Sequence, residues 1–550
     1  MKTGRKPRNS LKSLVARANA TLSVRYAAII LAGSTLLSAV LGLFRDRLLN
    51  SLYLNTYATG IDAYTAAFTI PDFMFFILTS GALSVSFIPV FNQRLASGNK
   101  KSAWELTSSL INLFALVTLV GSLAIMIFAD PLVRYIVGPG LDESGMALAI
   151  NMMRVIALNP FLFALSTVIT SVQQSVGRFI CYSLAPVFYN IGILLGITVF
   201  TNGITIFGVT IFEGGIMGVA LGVVLGAVLQ LLVSLIGLIG LGVDYEFKIY
   251  AKNQGLKQVL KMLPARSLDQ GIDYVNTIVS TNLSSRMGSG ALRSFNQATS
   301  LHQMPVNLIG VAISTAFFPQ LTSELGDGQS TKFNQTFREA LRMIIWISLP
   351  VAAIAFFARG YVANFIMNGG SNMIASVLGT LCIAIFAHSI FHIASRGFYA
   401  QQDTKTPFIV SIIAIGGTML LSLILYLQGY GVDGLGIAQS LGAIAEVVIL
   451  LAILQKRSRG TLLDKTFWSA LSRMLVATFV ASVVAYASTK LLPLLASDNS
   501  IFVTLPKFGL ITFLSLAAYF IVSILLGLAE PRPVLDYAKS LLKKLPLKKS

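Results

Sequence analysis

Charged residues stand inside apolar runs at several points of the chain, and these are the positions where chemistry could be done. The first such run ends in "LFRDRLL", with Arg45, Asp46 and Arg47 in succession. The second opens on "IDAYTAAFTIPDF", with Asp62 and Asp72. A later, more polar run carries Arg266, Asp269 and Asp273 at i, i+3 and i+7, a spacing that one helical face can hold. Arg154 and Glu446 are further solitary charges. An ionised group at the centre of a membrane-crossing helix costs roughly 2.5–3.5 kcal/mol on insertion scales, so each needs a partner or a task. Arginine's planar fork matches phosphate oxygens, so a cationic cavity in an apolar bundle would suit an anionic head group. The Arg266 face reads equally well as cavity lining or as structural ion pairing. Arg47 reads as an interfacial side chain reaching the outer head groups, and Asp62 as either such a group or an outer gate or ion pair.

Other chemistries find less support. His388 and His392 in "HSIFH" stand at i, i+4, a spacing that can ligate a metal, but no adjacent Glu or Cys and no third ligand accompanies them. They read as interior or cross-helix groups of one span, and no metal is expected. Cys181 and Cys382 fall inside apolar runs and read as small buried residues rather than a disulfide pair. Glycine loops that cradle phosphate and nucleophile–base pairs are missing from the sequence, and the outer connections are short, so a transporter is expected rather than an enzyme.

The elements that must position these residues follow from composition. Of 550 residues, 55% are hydrophobic and 11% charged, with a mean hydropathy of +0.77. Soluble domains carry about 25% charged residues, so this chain reads as an all-α polytopic membrane protein. Fourteen spans are expected, starting near Tyr26, Asp62, Trp104, Gly145, Arg178, Gly215, Met262, Ala291, Asn334, Met373, Thr406, Leu435, Phe467 and Lys507. The seventh and eighth are too polar to face lipid and should face protein or water. Met1 to Arg25 is basic and polar and does not read as a cleaved signal. The net charge of +19 is placed asymmetrically: alternate connections and both termini hold 30 of the 41 Lys and Arg. This positive-inside pattern puts both termini in the cytoplasm of a cell membrane protein. The basic tails should meet anionic lipids, and nucleic acid is not an expected partner.

Two short motifs recur at nearly one offset. "SVSFIP" at Ser84 returns as "STAFFP" at Ser314, 230 residues on, and "QQSVGRF" at Gln173 returns as "QQDTKTPF" at Gln401, 228 residues on. A shared offset indicates a duplication of about six helices in parallel orientation, with a substrate site expected between two lobes. The expected organisation is a basic segment 1–25, a first lobe 26–241, a cytoplasmic amphipathic linker 242–261, a second lobe 262–456, a helix pair 457–530 and a basic tail 531–550. Ser84, Ser86, Ser314 and Ala316 allow close helix approach. Pro89 and Pro319 interrupt the backbone ladder near helix ends, so the pair reads either as hinges or as plain packing sites.

At "LGLFRDRLL…DAYTAAFTIPDFMFFILTSGALSVSFIPVF", and again at "GRFICYSLAPVFYNIG" and "MPVNLIGVAISTAFFPQL", the chain resembles the MurJ/MviN family of lipid II flippases. The resemblance implies two pseudo-symmetric six-helix lobes around a cationic cavity, with a C-terminal helix pair forming a groove for a polyprenyl tail. It implies alternating-access transfer of undecaprenyl-pyrophosphate-linked peptidoglycan precursor from the inner to the outer leaflet. Arg45, Asp46 and Asp62 match family motif positions. The family's other cavity arginines fall at Ala39, Phe75, Phe76 and near Ser300, and its acids at Ser80 and near Gln303. Arg266 and Arg293 are therefore expected to join Arg45 in binding pyrophosphate, with Asp269 and Asp273 as gate or pairing acids. No cofactor is implied; a coupling ion or the membrane potential would supply energy, and cell-wall synthesis proteins are candidate partners. Another polyprenyl-linked oligosaccharide, an amphipathic small molecule exported against an ion, and a non-transporting scaffold for cell-wall assembly are the competing readings.

Overall fold

A computed structural model of the chain describes residues 24–78, 82–206, 209–459, 461–495, 497–532 and 535–536, with the backbone alone at 82–85, 262–270 and 272–273, among others. Contacts divide the chain into two units after Leu292.

In the first unit α1 (Val24–Tyr53) and α2 (Ala58–Leu78) are followed by α3 (Ala82–Ala96) and α4 (Lys100–Ile127). A π-helical turn, Leu132–Val137, leads to α5 (Glu143–Ile156) and α6 (Asn159–Ser175), which together make the fourth span. Then come α7 (Ile180–Thr198), a hairpin of β1 (Ile204–Ile206) and β2 (Val209–Phe212), α8 (Met217–Ile236) and α9 (Gln254–Ser285). In the second unit α10 (Ala291–Val306), a π-helical turn (Asn307–Val311) and α11 (Ala312–Gly326) form one interrupted span. It is followed by α12 (Ser330–Phe357), the short α13 (Arg359–Ile366), α14 (Asn372–Ala400), α15 (Lys405–Leu427), α16 (Gly431–Arg457), α17 (Lys465–Leu491) and α18 (Ile501–Leu525). Among the described residues, 13 of these spans are long and apolar enough to cross a membrane. The seventh expected span, α9, has 32 residues but lacks the apolar stretch. It packs on α2 and α3, so the division falls one helix later than the repeat boundary.

The linker differs from expectation. Residues 242–253 are irregular rather than an amphipathic helix, and helix begins only at Gln254. The segment is strapped to α4 by side chains: Ser108 Oγ accepts the Glu246 N–H at 3.1 Å and Ser109 Oγ the Tyr250 N–H at 2.9 Å. Asn112 Nδ2 donates to the carbonyls of Glu246 and Lys248 at 2.8 and 3.0 Å. Polar α4 residues satisfy the strap's backbone, which removes the incentive to form a helix.

Close packing is set by glycine where α7 meets α8. A Cβ added at Gly192 would stand 2.3 Å from Gly226 Cα, and one at Gly222 would stand 2.4 Å from Gly196 Cα. Two Gly-x-x-x-Gly faces therefore touch backbone to backbone. In the second unit Phe337, Ile344, Phe398 and Leu450 form the apolar centre, and α17 and α18 pack on each other and on α12. Trp346 Nε1 donates to Ser523 Oγ at 3.2 Å, and Arg342 Nε to Glu530 Oε1 at 2.6 Å.

The second repeated motif acts as a fastener in both units. Gln173 Nε2 donates to Ser234 O at 2.6 Å, and Arg178 to Gly237 O and Ile239 O at 3.1 and 2.7 Å. These bonds tie the α6–α7 turn to the end of α8. In the other unit Arg457, at the end of α16, donates to Gln401 Oε1 at 3.1 Å and to Asp403 Oδ2 at 2.7 Å. Hydrogen bonds from Thr406, with the Arg457 guanidinium, hold the Asp403 carboxyl well below the usual carboxylate range.

Two predictions follow from these contacts. Gly222→Val puts branched carbon into a backbone contact and should destabilise the chain by about 1–3 kcal/mol, read as a lower melting temperature in detergent. Asp403→Asn should also lower the melting temperature at pH 7. Folding depresses this carboxyl, so its contribution is present above the ordinary carboxylate pKa of about 4 and is lost as pH falls through the folded value. The gap between parent and Asp403→Asn should accordingly narrow on acidification below about pH 4. A gap that stays constant would remove the ionised carboxylate from the account.

Candidate functional site

In the first unit Arg45 stands in the C-terminal third of the long helix α1. Its Nη1 donates to Asn190 Oδ1 on α7 at 3.1 Å, while Nε and Nη2 reach Asp46 Oδ1 at 3.3 and 3.1 Å. Asn190 is itself oriented by donating to Ser38 Oγ at 3.2 Å and to Pro186 O at 3.2 Å. The Arg45 and Asp46 side chains keep 23% and 20% exposure, so the guanidinium is held yet still accessible. Arg47 is buried, which corrects the expectation of a side chain reaching outer head groups.

Asp62 is fully buried in the first turns of α2, and its Oδ2 accepts the Gly290 N–H at 2.6 Å. Around it Thr59 Oγ1 meets Ser289 Oγ at 3.3 Å, Ser285 Oγ accepts the Gly140 N–H at 3.2 Å, and Asn282 Nδ2 donates to Ile136 O at 2.7 Å. One end of α9 and the loop after it are thus clasped by α2 and the π-helical turn. Gly140 is required there, since a Cβ would meet Arg286 Cα at 2.4 Å.

Where the resemblance would place two arginines, Phe75 and Phe76 build an aromatic cluster. Phe75 packs on Phe163 at 5.4 Å and Phe76 on Tyr274 at 5.2 Å, and Phe163 continues to Tyr189 at 5.2 Å. The Tyr274 hydroxyl bonds the Asp72 carboxyl. The side chains of Arg266, Asp269, Asp273 and Ser84 lie outside the described residues. Ser86 is buried and Pro89 exposed on α3.

In the second unit Arg293 is 4% exposed, and Gln297, its amide oxygen turned towards it, accepts from both terminal nitrogens at 2.9 and 3.2 Å. Ser300, two turns on, is exposed, so the two do not share one open face. Ser314 is buried, and its hydroxyl accepts from Arg396 Nε at 2.9 Å while Pro319 is exposed. Arg396, on α14, also donates to Thr315 Oγ1 at 2.8 Å and stacks over Phe318 at 5.3 Å. Nothing in the sequence ties it to Ser314, 82 residues away. His388 meets His302 from α10, ring nitrogen to ring nitrogen at 3.1 Å. Sequence spacing could not show that pair, because 86 residues separate its members. Glu446, on α16, accepts from Ser411 Oγ at 2.5 Å, and Arg154 donates to Met126 O at 3.3 Å.

The clasp at Asp62 yields a prediction. Charge-assisted hydrogen bonds are worth about 1.5–3 kcal/mol, so Asp62→Asn should raise amide hydrogen exchange in residues 286–290 by about tenfold or more. Exchange equal to the parent's would show that the carboxylate does not hold the loop.

The comparisons with known proteins fall on this architecture. Residues 56–504 match the family model described as lipid II flippase MurJ. A probable lipid II flippase MurJ of Rhizobium tropici is 23% identical over 517 residues, covering 90% of this chain and 93% of that one. The lipid II flippase MurJ of Burkholderia cenocepacia is 29% identical over 457 residues, covering 79% and 84%. Among solved structures, an inward closed lipid II flippase MurJ superposes with a TM-score of 0.70 at 21% identity, covering 90% of this chain and 98% of that one. An inward-facing multidrug resistance MATE transporter of the MOP superfamily superposes at 0.65 with 17% identity, covering 79% and 98%. With the family model matched over most of its length, on a fold of membrane-crossing helices, this chain belongs to the MurJ family.

Proposed function

We propose that this chain is a lipid II flippase, carrying the polyprenyl-pyrophosphate-linked precursor of peptidoglycan from the inner to the outer leaflet of a bacterial cell membrane by alternating access. The observation that carries the reading is the family match over residues 56–504. The accessible Arg45, oriented by Asn190 and balanced by Asp46, supports it physically. A pyrophosphate crosses hydrocarbon only where protein charges replace its water. Arg45 does this in the first unit, and Arg266 and Arg293 supply further cations when the pyrophosphate reaches them. Asp46, Asp62, Asp269 and Asp273 keep those charges balanced and gate the path. The repeated motifs Ser84–Pro89 and Ser314–Pro319, each with a proline inside its helix, serve as hinges. The energy comes from a coupling ion or the membrane potential rather than from a cofactor. Both termini are cytoplasmic, where the basic tails meet anionic lipids, and cell-wall synthesis proteins are the partners of the product.

Reconstitution with fluorescent lipid II tests the activity. Arg45→Ala should slow its transfer about tenfold, the effect of losing one charge-assisted contact. Lysine should restore part of it, having the charge but not the fork. Transfer by Arg45→Ala at the parental rate would remove this cation from the mechanism. Membrane sidedness is tested separately. Lys100, Lys257 and Asn55 are exposed, and the native Cys181 and Cys382 are buried. Cysteines placed at Lys100 and Lys257 should react only with cytoplasmic reagent, and one at Asn55 only from outside; labelling of all three from one face would overturn the topology.

A further inference from the structure

The chain has three histidines, and all three gather in the second unit. His302 stands on α10, and His388 and His392 one turn apart on α14, with Arg396 a turn further on. His302 Nδ1 lies 2.9 Å from the carbonyl oxygen of Thr299, and His302 Nε2 lies 3.1 Å from His388 Nδ1. A carbonyl only accepts, so this geometry assigns a proton to His302 Nδ1 and, in the neutral ring, an acceptor lone pair to its Nε2. His388 then donates through Nδ1 and keeps a bare Nε2. A proton added to that Nε2 makes His388 an imidazolium without breaking the bond to His302. A proton added to His302 Nε2 instead would set two N–H groups against each other. The pair has one place for an extra proton, on the α14 ring.

Residues 388, 392 and 396 recur every four positions and form a stripe about 12 Å long. All three are half-buried, while His302 behind them is fully buried. Arg396 is held from α11 by the neutral hydroxyls of Ser314 and Thr315 and by the Phe318 ring, which orient its charge without cancelling it. Thr299 on α10 and Gly310 on the π-helical turn, whose added Cβ would stand 3.2 Å from His392 Cδ2, complete the surroundings. Among the described residues, the titratable or charged groups facing the rings are the histidines themselves and Arg396, with Tyr399 of the same helix facing Arg396, and no carboxylate pairs with any of the four. One permanent cation and two imidazoles able to become cations, with no carboxylate among the described residues to balance them, call for an anion.

We propose that His388, His392 and Arg396 form a phosphate-binding stripe on α14 that takes up a proton at His388 Nε2 together with the anion, His302 acting as the positioning residue that fixes the tautomer. Its natural ligand, the pyrophosphate of lipid II, rests on the reading given above; a phospholipid phosphate shares the chemistry. Binding of the anion and of the proton reinforce each other by the same factor, as linkage requires.

The test uses the full chain in nanodiscs and a soluble diphosphate diester, a nucleoside diphosphate sugar, whose phosphates do not titrate between pH 6 and 8. Affinity should rise as pH falls, by up to about tenfold per unit for one linked proton. Because the chain has three histidines, ring nitrogen NMR of the parent can follow each one, and the diester should protonate His388 Nε2 while His302 keeps its Nδ1 proton. His388→Gln should bind with no pH slope, His302→Gln should displace the slope, and Arg396→Ala should bind about tenfold more weakly at every pH. Phosphatidylglycerol added to the discs separates the two sources: competition with the diester assigns the stripe to phospholipid, and its absence to the pyrophosphate diester. Binding without a pH slope in the parent, or no change at His388 by NMR, overturns the proposal even if His388→Gln does not fold. Lipid II transfer is measured on the same parent. Transfer without a pH-linked stripe leaves the flippase reading standing alone, whereas a pH-linked stripe without transfer leaves the stripe standing alone.

Discussion

A charge or backbone polar group taken out of water must be matched by another group of the same chain, and both units are arranged around that requirement. Arg45 is matched by Asp46 and Asn190, Arg293 by Gln297, Asp62 by a backbone N–H, and Glu446 by Ser411. The match takes two forms. Ion pairs remove net charge, as at Arg45. Neutral partners such as the hydroxyls around Arg396 fix direction and leave the charge in place. The second form costs more in a low dielectric and is the one that leaves a field for an anionic ligand.

Helix irregularity follows the same logic. The interruption at Asn307–Val311 is a π-helical turn just beyond Pro305, and Gly310 lets it lie against the α14 backbone, where a Cβ would stand 2.6 Å from Ser389 Cα. The turn sits between His302 on one side and Ser314 and Thr315 on the other, all in polar contact with α14. A straight helix would keep a strict 3.6-residue register across those positions; the wide turn shifts it, so that the contacts on both sides can be made to one neighbour. Bending and polar recognition are therefore one feature of this span.

The order of the spans was legible because length and hydropathy determine which helices can cross a bilayer, and Asn334, Met373 and Ala291 begin or nearly begin helices as read. Arg45 and Asp46 were legible as a pair because they are adjacent in the chain. What escaped were contacts made across sequence. Asp62 read either as a head-group-facing side chain or as an outer gate or ion pair, and it is buried against Gly290, 228 residues away. His302 has no sequence signature tying it to His388. The linker expected at 242–261 read as an amphipathic helix, yet the backbone of its first part is captured by Ser108, Ser109 and Asn112, whose role is invisible without the fold.

The departures from the family pattern then acquire a physical meaning. Replacing two cations by Phe75 and Phe76 exchanges long-range attraction for contact: ring pairs at 5–6 Å act only on what they touch and are indifferent to salt. In the first unit this ties α2 to α6 and α9 by packing and leaves Arg45 as the oriented, accessible guanidinium described there. In the second unit the accessible positive charge lies instead on α14, at Arg396, with two imidazoles along the same stripe. Imidazole differs from guanidinium in that its charge can be withdrawn at neutral pH. A permanent cation holds an anion equally well before and after transfer, which favours binding over release. A cation that leaves with its proton weakens its hold once the proton departs, and so makes release part of the same chemistry as capture.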